Sequence, residues 1–169
     1  EEIGRVLDLC TGSACLAIIA AGRFPNADVD AVELSPAALE VARLNVADYD
    51  LEERVHLFEG DLFAPLKGQR YDLIIANPPY VTAEEVAAFP PEYGSEPQMA
   101  HIAGADGLDI TRRILAQARR HLNPGGALIC EVGTGREALE AESDLPFTWL
   151  DTEESEGEVF WIDAADLPR

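Results

Sequence analysis

The chain has 169 residues, 47% of them hydrophobic, enough for one domain with a sizeable core and incompatible with a disordered tail. Its 32 acidic residues against 12 basic ones give a net charge of −20, a surface that repels phosphate backbones and argues against direct nucleic-acid binding. No apolar run approaches the roughly 20 residues that a membrane span needs, and no leader peptide is visible, so no membrane role and a cytoplasmic location are expected. The acidity leaves two readings open, adaptation to high salt or steering of a basic protein partner. Cys10, Cys15 and Cys130 follow no zinc or redox spacing; buried free thiols are expected, and no metal site. The chain begins at Glu1 with strand-like sequence almost at once, which suggests a piece of a longer protein.

In chain order, Arg5 to Leu9 reads as a short buried strand and Cys15 to Ala21 as a small-residue helix. Asp28 to Leu34 is strand-like. Ser35 and Pro36 then form an N-cap and first helical position for a helix with Leu39, Ala42 and Val46 on one face. Arg54 to Glu59 and the apolar run Tyr71 to Ala76 are further strands. The segment from Val81 to Asp106, with three prolines, is long for a plain connection and reads as functional. A helix is predicted from Ile110 to Leu122, stopped by Asn123-Pro124-Gly125-Gly126. Ala127 to Val132 is a strand, and Phe147 to Leu150 with Val159 to Ile162 form a closing antiparallel pair. This alternation predicts an α/β fold, an open and mostly parallel sheet with helices on both faces.

Three strand ends carry chemistry. The first is Leu7-Asp8-Leu9-Cys10-Thr11-Gly12-Ser13-Ala14, a turn of small residues that lets a backbone approach a ligand closely. Glu33, at the end of the next strand, is placed to accept hydrogen bonds from both hydroxyls of a ribose. The turn lacks the full G-x-G-x-x-G pattern of dinucleotide sites, which favours S-adenosylmethionine, a nucleoside cofactor with no phosphate to cradle. The bland alternative is an ordinary strand-to-helix turn with a surface glutamate. Gly60-Asp61-Leu62-Phe63 follows the third strand; Asp61 is a candidate acceptor for an adenine amino group, with Leu62 or Phe63 lining the ring. Its alternative is a simple N-cap aspartate.

The third is Asn77-Pro78-Pro79-Tyr80 after the apolar strand. Pro78 biases Asn77 away from helical geometry, and neither proline brings an N–H to compete with its carbonyl. The Asn77 side-chain oxygen and the Pro78 carbonyl can accept both hydrogens of one –NH2 group, with Tyr80 packed over the flat group. The alternative is a tight Pro-Pro turn. His56, His101 and His121 have no partner that suggests a triad. Trp149 and Trp161 read as packing residues, and a substrate role for Arg112 or Arg113 is a minor possibility.

These residues resemble the class I S-adenosylmethionine-dependent methyltransferases and, more closely, the HemK family of protein-(glutamine-N5) methyltransferases. Leu7 to Ala14 resembles motif I of that family, and Asn77 to Tyr80 its catalytic motif. Tyr93 to Pro97, Gly104 to Asp109 and Glu131-Val132-Gly133 resemble the family as well, so the likeness covers nearly the whole chain. It implies a Rossmann-like, seven-stranded, mostly parallel sheet with a C-terminal antiparallel hairpin, and a catalytic domain over residues 1–169. The family's N-terminal helical substrate-binding domain has no counterpart here. It implies a cofactor site with Asp8, Cys10, Thr11, Gly12, Ser13, Glu33, Leu34, Asp61, Leu62, Phe63 and Asn77, and a catalytic set of Asn77, Pro78, Pro79 and Tyr80.

Within the family, the wording Leu9-Cys10-Thr11-Gly12-Ser13 and the ending Pro146 to Leu150 with Val159-Phe160 are similar to the branch acting on large-subunit ribosomal protein L-three, a basic substrate. The other branch modifies the Gly-Gly-Gln of peptide release factors. A base amine of RNA or DNA is a further alternative, disfavoured by the charge, and a non-catalytic module that kept the fold is another. Ala14 departs from the family, which has glycine there; a positive φ would strain it, whereas a negative φ would place its methyl towards the cofactor.

Overall fold

The computed structural model describes residues 2–80, 104, 106–150 and 158–169. Its elements are β1 (Arg5–Leu9), α1 (Cys15–Arg23), β2 (Asp28–Glu33), α2 (Pro36–Asp48), β3 (Val55–Glu59), β4 (Tyr71–Ala76), α3 (Asp109–Ala118), β5 (Leu122–Glu131), α4 (Arg136–Glu142), β6 (Thr148–Leu150) and β7 (Val159–Asp163). They build one seven-stranded sheet in the order β3-β2-β1-β4-β5-β7-β6. The first five strands are parallel, and β7 and β6 close the edge antiparallel. This is the mostly parallel architecture with a terminal hairpin that the sequence implies.

Alternation along β1 divides the core in two. Leu7 and Leu9 join Tyr71, Ile74, Ile114, Leu128 and Phe160 on the face covered by α3. Val6 joins Val29, Ala31, Leu73 and the helical alanines Ala17, Ala20, Ala21 and Ala42 on the other. A strand buried on both faces reads as a mostly apolar run, as β4 does; in β1 and β2 the apolar residues are interrupted by the buried Asp8 and Asp30. The small residues of α1 let it lie close to the sheet. Ser35 caps α2 as expected, its hydroxyl accepting from the Ala38 amide at 3.3 Å with Pro36 behind it.

The structure corrects several boundaries. Helix α3 ends at Ala118, not Leu122; a 3-10 turn over Arg119–His121 follows, and β5 begins at Leu122. Asn123 to Gly126 therefore belongs to the strand. Tyr71 pairs with Leu122 and Leu73 with Ala127, so these four residues form an irregularity in the ladder. Asn123 donates to Asp72 Oδ1 at 2.8 Å, and a side chain at Gly126 would meet the Asp72 carbonyl oxygen at 2.8 Å. Helix α4 is not anticipated by the sequence reading. Cys130 is buried, but Cys10 is only half-buried and Cys15 is exposed, contrary to the expectation of three buried thiols. Among the described residues no helix is long and apolar enough to cross a membrane. Of the long segment from Val81 to Asp106, only Gly104 and Asp106 lie within the described residues, and the pieces Tyr93 to Pro97 and His101 lie outside them.

Candidate functional site

The strand order reverses between β1 and β4, and in open parallel sheets ligands settle outside the carboxyl ends of the strands at such a point. A cavity of about 440 Å3 opens there. Of the residues singled out in the sequence, Cys10, Gly12, Glu33, Leu34, Asp61, Leu62, Asn77, Pro78, Pro79 and Tyr80 line it. Four strand ends thus converge on one space.

The turn after β1 is built from left-handed backbone. Cys10, Gly12 and Ala14 have φ of 58°, 56° and 67°. Nothing lies within 4 Å of where a Gly12 side chain would start, so the backbone is bare towards the cavity. Glu33 braces the turn: Oε2 accepts from the Gly12 amide at 2.9 Å and Oε1 from the Ser35 amide at 2.8 Å. Each oxygen keeps a second lone pair for a ligand. The methyl of Ala14 is fully buried among the alanines of α1 and β2 and does not line the cavity. The positive φ is the branch that applies: the residue is strained, and its methyl faces the core.

Asp8, Thr11 and Ser13 stand behind the cavity wall rather than in it. Asp8 is fully buried; burial pushes its carboxyl up to about 7, against a hydrogen bond from the Thr11 hydroxyl to Oδ2. Oδ1 has no partner at full hydrogen-bond geometry, although the Ala17 amide lies near enough to the carboxyl to favour its charged form. A buried acceptor is costly unless a donor reaches it. Ser13 gives its carbonyl to Asn45 at 2.9 Å, which ties the turn to α2. The Cys10 thiol is pushed up to about 12 by burial and by the nearby Glu33, Asp8 and Asp61 carboxylates, so it stays protonated and is no nucleophile.

After β3, Leu62 has φ of 51° and lines the cavity, whereas Phe63 turns away and stacks on His121 with centroids 4.6 Å apart. Phe63 is therefore not a wall residue as expected. The Asp61 carboxylate receives Arg113 Nη2 at 2.6 Å, so this acceptor is already engaged by a cation from α3. Arg113 and Ile110, both on α3, line the cavity too. Neither was a leading candidate in the sequence, because the helix that carries them reaches the site only through tertiary packing.

At the end of β4, Asn77 is exposed and Pro78 is buried. Tyr80 is clamped on three sides. Its hydroxyl donates to Glu131 Oε1 at 3.0 Å. A side chain at Gly133 would meet its ring at 2.5 Å, and one at Gly107 would collide with its carbonyl oxygen. Burial and the Glu131 carboxylate raise the phenol above its ordinary value, so it remains a donor. Arg112 does not face the cavity; it binds Asp106, Asp109 and Glu142, fastening the chain before α3 to both helices. Among the described residues no group of three or more His, Cys, Asp or Glu side chains gathers to hold a metal ion.

The cavity wall offers a carboxylate beside bare backbone, and an amide followed by two proline carbonyls. That set fits a cationic, nucleoside-sized ligand better than one bearing phosphates.

Comparison with known proteins gives a consistent outcome. The sequence pattern of the methyltransferase small domain family matches residues 1–89. A "Ribosomal protein uL3 glutamine methyltransferase" of Bradyrhizobium diazoefficiens is 64% identical over 166 residues, covering 98% of this chain and 52% of that protein. A protein of the same description from Burkholderia pseudomallei is 53% identical over 176 residues, covering 99% of this chain and 57% of its own length. The chain thus spans about half the length of the curated relatives it matches. In structure, a methyltransferase from Pyrococcus furiosus superposes with a TM-score of 0.68 at 22% identity, covering 97% of this chain and 77% of that one.

Proposed function

The chain belongs to the methyltransferase small domain family, and from that premise we propose that it transfers a methyl group from S-adenosylmethionine to the side-chain amide nitrogen of a glutamine, carried by large-subunit ribosomal protein uL3. The observation that supports this most is the meeting of Asn77 to Tyr80 with Gly12 and Glu33 around one cavity. The names of the relatives supply the substrate protein. A basic substrate also suits a chain of net charge −20.

When bound, S-adenosylmethionine supplies an electrophilic methyl group on a cationic sulfonium. Glu33 would hold the ribose hydroxyls with the lone pairs left after bracing the turn. The Asn77 side-chain oxygen and the Pro78 carbonyl accept the two hydrogens of the glutamine –NH2, and Tyr80 packs over its plane. An amide nitrogen is a weak nucleophile because its lone pair is delocalised. Orientation of that nitrogen, and acceptors for the positive charge that grows on it, are what these residues contribute. The cofactor would supply the methyl group and keep the bonding electron pair on its sulfur, leaving as a neutral thioether. The surplus proton on nitrogen passes to water.

The test is methylation of purified uL3 and purified release factor by the full-length protein, read by mass spectrometry of the digested products. The expected result is one additional methyl on a single glutamine of uL3. Methylation of the release factor alone would overturn the choice of substrate, and methylation of neither would overturn the reaction.

A further inference from the structure

Tyr80 sits in the cavity wall, yet its hydroxyl points away from the cavity to Glu131, the last residue of β5. Glu131 itself does not line the cavity. We infer that Glu131 is a positioning residue for the proposed methyl transfer, acting only through Tyr80, whose ring it fixes where the flat acceptor amide lies; this rests on the function proposed above.

Three contacts define the ring. Gly133, with φ of 52°, brings bare backbone against one edge of it, Cδ2 and Cε2. Gly107, with φ of 76°, lies against the Tyr80 carbonyl oxygen. These contacts set where the residue sits but place nothing on the hydroxyl end, which is left to rock. The hydrogen bond to Glu131 restrains that rocking, because it anchors the one polar atom at the far end of the side chain. A carboxylate acceptor makes this bond stronger than a neutral partner would. With the hydroxyl so engaged, the group Tyr80 presents to the cavity is the ring rather than a polar donor. A ring held in place costs no ordering at the moment of reaction, which is how a non-reacting group raises a rate. The two residues are 51 apart in the sequence and meet because β4 and β5 are neighbours that end side by side.

The experiment is a double-mutant cycle in the full-length protein with uL3 as acceptor, combined with NMR of tyrosine-labelled protein. Glu131→Ala is expected to lower kcat about tenfold, with cofactor affinity and KM within about twofold, while Glu131→Gln, which still accepts the hydroxyl hydrogen, stays within about threefold of wild type. Tyr80→Phe is expected to lose a similar factor, and Glu131→Ala combined with Tyr80→Phe to lose no more than Tyr80→Phe alone. The Tyr80 ring resonances, which need no turnover, should shift and broaden in Glu131→Ala as the side chain rocks, and stay close to wild type in Glu131→Gln. Losses that multiply in the double variant, or ring resonances indifferent to Glu131→Ala, would overturn the inference. If wild-type protein fails to methylate glutamine, the proposed reaction falls, and the ring resonances alone decide whether Glu131 holds Tyr80.

Discussion

Asn77 is the residue on which the proposed chemistry turns, and its role separates from cofactor binding. Asn77→Ala should lower kcat by at least about a hundredfold, the usual cost of losing a charge-stabilising acceptor, and leave cofactor affinity by calorimetry near wild type. Glu33→Ala should do the reverse and weaken cofactor binding; an unaltered affinity removes Glu33 from the site. Asp8 gives a signature in pH. Its carboxyl titrates at about 7 in the fold against an ordinary 3.8, so the folded chain binds that proton more tightly than the unfolded one. Native stability therefore falls as pH rises from about 4 to about 7, by on the order of 4 kcal/mol at most, and is flat above. Asp8→Asn should remove that slope, visible as a urea midpoint that gains on wild type as pH rises. Ala14→Gly trades about 1 kcal/mol of left-handed strain against roughly 0.8 kcal/mol of buried methyl. Its urea midpoint should barely move, and because the methyl faces the core, cofactor affinity should not move either.

At the scale of elements, the glycines after β5 and before α3 position the site as firmly as the strands do. Gly107→Ala would force a side chain against the Tyr80 carbonyl oxygen and require a left-handed alanine. A loss of about 2 kcal/mol or more is expected in denaturant unfolding, together with a fall in kcat that Gly22→Ala, in open space on α1, would not show. The same elements explain what the sequence reveals. Strand β4 and the centres of β1 and β2 carry buried Val, Leu, Ile and Ala on both faces, with charged residues such as Arg5, Asp28, Asp30 and Asp72 hydrogen-bonded or near strand ends. The Asn-Pro-Pro-Tyr run and Glu33 sit at strand ends where local pattern fixes position. Helix α4 escaped notice because it is short and polar, with Leu139 its one buried side chain. The Asn123 to Gly126 run carries the punctuation of a turn, yet it lies inside β5, where Asn123 finds Asp72 and Gly126 makes room for a crossing carbonyl. Arg113 beside Asp61 and Glu131 beside Tyr80 were not legible at all. Each pair spans more than 50 residues and exists only once the sheet is assembled.

Over the whole molecule, the charge of −20 works against compaction through self-repulsion. Added salt screens it, so Tm should climb by several degrees between low ionic strength and about 0.5 M sodium chloride. The rate of association with a basic ribosomal protein should fall over the same range; a rate indifferent to salt would remove charge steering as an explanation of the acidity. The chain leaves the site at Tyr80 and re-enters it at Gly107, and those two points touch. Whatever length of polypeptide runs between them, the frame of the cavity is closed by described residues on either side, with Arg112 clasping Asp106 just before the return. Loop-closure entropy grows only slowly with length, by about 0.6 kcal/mol per doubling. Exchanging the stretch between for that of a relative with a different target is therefore expected to leave the frame of the cavity as it is, read by calorimetry as an unchanged cofactor affinity.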